Sequence, residues 1–183
     1  MTQPTTLLTE RMILRPFALS DAAEVQRLAG DVAIASTTLN MPHPYEDGMA
    51  ETWITRSAEK IAAGTLVNFA ITRKTDNRLV GCISLMNIEP SHCHAELGYW
   101  IGKPYWNHGY CTEAVRAVIR YGFDGLGLNR IHASHFGRNP ASGRVMQKAG
   151  MIHEGRQRQH VKKWDAFEDL ETYGVLRSDL HLG

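Results

Sequence analysis

Between Leu66 and Ile101 the chain places three strand-like runs, Leu66–Thr72, Leu79–Ile88 and Ala95–Ile101. Only the turn-forming segments Thr75-Asp76-Asn77 and Glu89-Pro90-Ser91-His92 separate them. Breaks that short join antiparallel neighbours, because a parallel pair needs a crossover of a dozen or more residues. The region therefore reads as an antiparallel meander, and a meander rich in apolar residues must be covered by something else in the chain.

Covering elements lie on both sides of it. Upstream, Met12-Ile13-Leu14-Arg15-Pro16-Phe17 reads as a short strand stopped by proline. Ser20 is placed to cap a helix through roughly Leu28, His43-Pro44-Tyr45 is a turn, and a second helix is expected from about Glu46 to Ala63, stopped by Gly64. Downstream, helical spacing predicts Thr112–Leu126, with Val115, Val118, Ile119, Tyr121 and Phe123 inward and Arg116, Arg120 and Asp124 outward. A strand near Arg130–Phe136 follows, then a helix from Pro140 to Ala149 and two strands, Ile152–Lys162 and Phe167–Leu176, around the turn Lys163-Trp164-Asp165-Ala166. The expectation is one α/β (α+β) domain over residues 1–183: a mixed, mostly antiparallel sheet of about seven strands with helices on both faces.

Composition narrows the function. At 43% hydrophobic and 21% charged, with a formal net charge of +1, the chain has no general attraction for nucleic acid or membrane. No apolar run approaches the ~20 residues of a membrane span, and Met1–Thr9 lacks the pattern of a signal peptide. Cys82, Cys93 and Cys111 form no CxxC pair, which suits a reducing cytoplasm. His92-Cys93-His94 is the densest cluster among nine histidines, but it has no structural-zinc spacing, so no metal is expected.

The run Tyr105-Trp106-Asn107-His108-Gly109-Tyr110-Cys111-Thr112-Glu113-Ala114 puts a tight loop directly before an amphipathic helix. Unpaired backbone N–H groups and the positive end of the helix dipole make such a junction an anion site. Asn139-Pro140-Ala141-Ser142 starts a second helix downstream, so a cofactor laid between two helices is expected, coenzyme A first. An ordinary capped helix would read the same way in isolation.

With these elements placed, the chain resembles the GNAT superfamily of N-acetyltransferases, most closely its ribosomal-protein (RimJ/RimL-like) branch. The matching residues are Thr9-Glu10-Arg11-Met12-Ile13-Leu14-Arg15-Pro16, Glu96-Leu97-Gly98-Tyr99-Trp100-Ile101, Tyr105-Trp106 with Gly109-Tyr110, and Thr112-Glu113-Ala114. Leu126-Gly127-Leu128-Asn129-Arg130-Ile131, Asn139-Pro140-Ala141-Ser142, Lys148-Ala149-Gly150-Met151 and Glu154-Gly155 complete the set. Two positions depart from the branch, which carries glycine where Asn107 stands and a small residue where Cys111 stands. Asn is the best non-glycine occupant of a left-handed site, so the loop is expected to keep its shape.

The resemblance implies acetyl-CoA as donor and an amine as acceptor. Trp106, Asn107, His108, Gly109, Tyr110, Cys111 and Thr112 would then form the phosphate loop, with the Thr112 hydroxyl as an added donor. The backbone of Tyr99, Trp100 and Ile101 would polarise the thioester, where a donor is worth ~3 kcal/mol. Asn139 would cap its helix and contact the pantetheine arm. Ser142 would protonate the leaving thiolate, with Tyr110 as the alternative hydroxyl. Glu96, the one acid in the apolar run Ala95–Ile101, is the candidate general base or else half of a structural salt bridge. If His132 or His135 were the base, the pH–rate profile would break near ~6.5.

Arg156, Arg158, His160 and Lys162 alternate along one strand, either as a charge-defended edge or as a wall for an acidic or RNA-bound acceptor. An α-amine (pKa ~7.7–8.0) is far easier to deprotonate than lysine (~10.4), so a protein N-terminus is the favoured acceptor. A small-molecule amine, an aminoacyl-tRNA, or a non-catalytic acetyl-CoA-binding module are the other readings, and the chain is expected to work as a monomer or homodimer.

Overall fold

A computed structural model of the chain describes residues 6–182. Met1–Thr5, part of the N-terminal stretch read above, lie outside the described residues. The strands are β1 (Leu7–Leu8), β2 (Met12–Arg15), β3 (Val67–Arg73), β4 (Leu79–Glu89), β5 (His94–Ile101), β6 (Arg130–Phe136), β7 (Ile152–Lys163) and β8 (Ala166–Leu176). The helices are α1 (Ala22–Ala29), α2 (Val32–Ala35), α3 (Met49–Ala62), α4 (Tyr110–Asp124) and α5 (Pro140–Lys148).

All strands join one sheet in the order β1-β2-β3-β4-β5-β6-β8-β7, and every neighbouring pair is antiparallel except β5–β6. Among the described residues the sheet has eight strands, where about seven were expected. The addition is β1, two residues turned back onto Ile13 and Leu14, too short to show periodicity. The meander β3–β4–β5 stands as expected.

Alternation along the strands sorts side chains to two faces. Phe69, Ile71, Ile83, Leu85, Leu97 and Ile101 point toward α4 and α5, sharing a core with Val115, Val118, Ile119 and Met146. Ala70, Cys82 and Trp100 point the other way, into a smaller core with Val25, Leu28, Ile34, Ala50 and Ile54 from α1, α2 and α3. Helices thus cover both faces.

Several boundaries move for local reasons. Ser20 does not cap α1. A 3-10 turn, Leu19–Asp21, precedes the helix, and the Asp21 carboxylate accepts from the Ala18 amide at 2.8 Å while pairing with Arg15 at 2.7 Å. α3 starts at Met49 behind a left-handed Gly48, not at Glu46. α4 starts at Tyr110, two residues before Thr112, because left-handed Gly109 forms its N-cap.

Candidate active site

β5 and β6 are neighbours only at their first residues. Their register runs His94↔Arg130, Ala95↔Ile131 and Glu96↔His132, and stops there. From Leu97 on, β5 continues beside β4 to Ile101, while β6 continues beside β8 to Phe136. The two strands splay, leaving a wedge in the middle of the sheet with Glu96 and His132 at its apex. Such a wedge exposes strand backbone inside the fold, where a ligand can complete the pairing that the sheet omits.

One side of the wedge leads to the start of α4. The preceding loop turns through two left-handed residues, Asn107 at φ 62° and Gly109 at φ 79°. The left-handed Asn107 is the conformation expected of it. Among the described residues, no amide from Asn107 through Thr112 has a hydrogen-bond acceptor. Consecutive unpaired amides at a helix N-terminus form a concave anion site, reinforced by the helix dipole. The Trp106 indole anchors the loop to the end of β5, donating to the Ile101 carbonyl at 2.6 Å, and His108 Nδ1 lies 2.7 Å from the Trp106 carbonyl. Cys111 tucks its thiol inward, where burial pushes its pKa up and keeps it protonated. A small side chain there leaves the amide row clear.

The far wall of the wedge is the first turn of α5. Asn139 occupies the N-cap position, yet its side chain makes no capping hydrogen bond. Proline at the first helical position has already removed one donor that a cap would serve. The expected cap is absent, and the side-chain amide of Asn139 is left for another partner. Ser142 Oγ lies 3.0 Å from the Tyr99 hydroxyl, which also donates to the Ser142 carbonyl at 3.1 Å. This bond spans the wedge from β5 to α5. Burial raises the Tyr99 phenol, so it remains a donor. Tyr110 is not brought to this pair: its ring stacks on His108 and its hydroxyl lies beside Arg73. The hydroxyl next to Ser142 is that of Tyr99, a residue the sequence reading used only for its backbone.

At the apex, Glu96 shares a face with Gly98 and Trp100, as strand parity predicted. Asn87, held at φ 50°, donates to Glu96 Oε2 at 2.9 Å. Among the described residues Glu96 forms no ion pair, so the structural salt bridge is not what holds it. His132 sits beside it across the strand pair. Burial lowers the His132 pKa and the Glu96 charge only partly offsets this, so the imidazole is neutral near pH 7. His135 lies deeper, with Nδ1 on the Phe136 carbonyl at 2.8 Å and Nε2 unpartnered against α5, where Gly143 has no Cβ to strike it.

At the open end of the wedge, past Phe136, two cations that sequence reasoning missed tie the β7–β8 hairpin to the segment between α2 and α3. The Lys163 ammonium donates to the carbonyls of Thr38, Leu39 and Met41 at 2.8, 3.0 and 2.8 Å. Arg138 reaches the Ser36 carbonyl at 2.5 Å and Glu168 at 2.6 Å. Together they strap residues 36–41 along the side of the wedge opposite α4 and α5. Of the two readings of Arg156–Lys162, the charge-defended edge holds and the wall does not: bulges at His153/Gly155 and Gln157/Val161 break the alternation, and Arg156 is paired with Asp169. β7 is a charged, bulged edge strand.

The profile of the Acetyltransferase (GNAT) domain matches residues 11–152. The chain belongs to the GNAT acetyltransferase family. A probable N-acetyltransferase, YjcK of Bacillus subtilis (strain 168), is 37% identical over 127 residues, covering 69% of this chain and 70% of its own length. The ribosomal-protein-serine acetyltransferase of Escherichia coli (strain K12) is 32% identical over 98 residues, 54% of this chain and 55% of that one. Among solved structures, a GNAT-family acetyltransferase from Bacillus anthracis superposes with a TM-score of 0.83 at 26% identity, covering 95% of this chain and 99% of that one. The RimL ribosomal L7/L12 α-N-protein acetyltransferase in complex with coenzyme A shares the fold, with a TM-score of 0.87 at 16% identity over 94% and 98% of the two chains.

This GNAT protein is an acetyl-CoA-dependent N-acetyltransferase. Its wedge and amide row fit the donor. The row suits a diphosphate, and the Asn139 amide suits the amide-bearing pantetheine arm.

Proposed function

We propose that the chain acetylates the α-amine of a protein N-terminus, by direct attack within a ternary complex in the cytoplasm. The observation that carries this reading is Glu96 at the apex of the β5–β6 wedge, held by a neutral amide and flanked by a neutral imidazole. That arrangement can accept a proton from an amine already partly neutral. Among the described residues no charged group hydrogen-bonds to Glu96, whereas deprotonating a lysine ammonium costs ~3–4 kcal/mol near pH ~7.5.

The roles follow from position. Amides from Asn107 through Thr112 hold the diphosphate, the Asn139 side chain meets the pantetheine arm, and the backbone of Tyr99–Ile101 polarises the thioester carbonyl. The amine nitrogen forms its bond to the carbonyl carbon and passes its proton to Glu96. As the carbon–sulfur bond breaks, Ser142 protonates the thiolate, and Tyr99 fixes the Ser142 hydroxyl for that transfer. The free thiols of Cys82, Cys93 and Cys111 support a reducing compartment.

The test is product analysis by mass spectrometry. The enzyme is given acetyl-CoA with peptides bearing a free N-terminus, the same peptides blocked at the N-terminus but carrying lysine, and a polyamine. Acetylation confined to free N-termini is the expected result. Modification of lysine or polyamine alone would replace the acceptor class while leaving the chemistry intact.

A further inference from the structure

The N-terminal motif Thr9-Glu10-Arg11 has no part in the chemistry above, yet its arginine contacts the loop that carries the amide row, at the His108 carbonyl and the Tyr110 ring. The Arg11 amide donates to Glu113 Oε1 at 2.8 Å, Nε donates to Glu113 Oε2 at 2.7 Å, and Nη1 donates to the His108 carbonyl at 2.8 Å. The guanidinium lies 5.0 Å from the centre of the Tyr110 ring, and a Cβ at Gly109 would come 3.3 Å from Nη2. The turn His108-Gly109-Tyr110, left-handed at Gly109, lies against one cation. Glu113, fourth residue of α4, is the other half of the clasp, so two motifs 102 residues apart meet here.

From this geometry we infer that Arg11 is a positioning residue for the diphosphate of the donor, working through the loop 107–112. The inference rests on the seating of the donor at that loop. Two physical effects support it. Glu113 unpaired would put a negative charge in the first turn of α4, where it suits the helix but opposes an anionic ligand. Arg11 cancels that charge. Its bond to the His108 carbonyl also turns the oxygen away from the amides, so the row presents donors only. Gly109 is favoured by its positive φ, and a Cβ there would also press on the guanidinium.

The experiment compares two donors, acetyl-CoA and S-acetylpantetheine, which carries the thioester arm without the diphosphate. The ratio of their kcat/KM values isolates the contribution of the diphosphate and the nucleotide it carries, because a general loss of folded enzyme lowers both alike. Arg11→Ala is expected to lower the ratio by roughly tenfold and to raise the calorimetric Kd for acetyl-CoA by a similar factor, equivalent to ~1.4 kcal/mol. Arg11→Lys, which keeps charge but cannot reach Glu113 and His108 together, should recover part of it. An unchanged ratio in Arg11→Ala, with Gly109→Val still lowering it, would overturn the role of Arg11 and leave the loop in place. A ratio indifferent to both substitutions would remove the donor from this loop, and the inference with it.

Discussion

Replacing Lys163 by methionine removes the strap between the β7–β8 hairpin and residues 38–41 while nearly keeping the volume of the side chain. Lys163 is only 4% exposed, and its ammonium is held by three carbonyl oxygens. Hydrogen bonds from a charged donor contribute ~1.5–3 kcal/mol each, but desolvating the ammonium offsets much of the sum. Breaking a buried charged contact typically costs ~3–5 kcal/mol, and since the carbonyls of a loop can rehydrate, the lower end, about 3 kcal/mol, applies. For a domain of this size each kcal/mol moves Tm by ~2–4 °C, so a drop of about 6–12 °C is expected by calorimetry or circular dichroism. The loss should be local as well as global. Limited proteolysis should cut between Ser36 and Gly48 faster in the variant, and KM for the acceptor should rise while the calorimetric Kd for acetyl-CoA stays put. A Tm within ~2 °C of wild type and an unchanged cleavage pattern would refute the strap.

Three further outcomes follow from particular contacts. Tyr99→Phe and Ser142→Ala should each lower kcat, and the double variant should be no worse than the more damaging single one, because one hydrogen bond joins the pair; additive losses would separate their roles. Gly109→Val should weaken acetyl-CoA binding at least about tenfold by calorimetry, since a β-branched residue is strained at φ 79°; unchanged affinity would clear the loop. Asp21 is almost buried, and burial alone would raise its carboxyl, but hydrogen bonds from Arg15 and the Ala18 amide hold it below the usual range. Its folded pKa is depressed, so its stabilisation is full above the unfolded value of ~3.9 and is lost as pH falls through the lower folded value. Thermal melts of Asp21→Asn should therefore differ most from wild type near pH 7 and converge with it below pH ~4.

What the sequence revealed was chiefly local. The meander from β3 to β5 followed from turn chemistry at Asp76, Asn77 and Pro90, and α4 from an apolar stripe through Val115, Val118 and Ile119. The left-handed Asn107 was legible because few side chains tolerate that backbone. Pairings across the chain were hidden. Nothing in the run Ala95–Ile101 marks where β6 leaves it, and this decides that Glu96 stands at an apex. Arg11 and Glu113 lie 102 residues apart, and Lys163 lies 122 or more from the carbonyls it binds. The hydroxyl of Tyr99 was not legible as a partner of Ser142, because the contact joins residues 43 apart in sequence. The alternation read at Arg156–Lys162 failed because Gln159, at φ 47°, sits in a bulge that no residue type announces.

The most direct test of the account is steady-state turnover of Glu96→Gln set beside its acetyl-CoA affinity, with a free N-terminal peptide as acceptor. A general base is worth ~10²- to 10⁴-fold. The account predicts a fall in kcat of that order across pH ~6–9, with the Kd for acetyl-CoA within about twofold of wild type. Undiminished turnover in Glu96→Gln would contradict it and move the proton to another group.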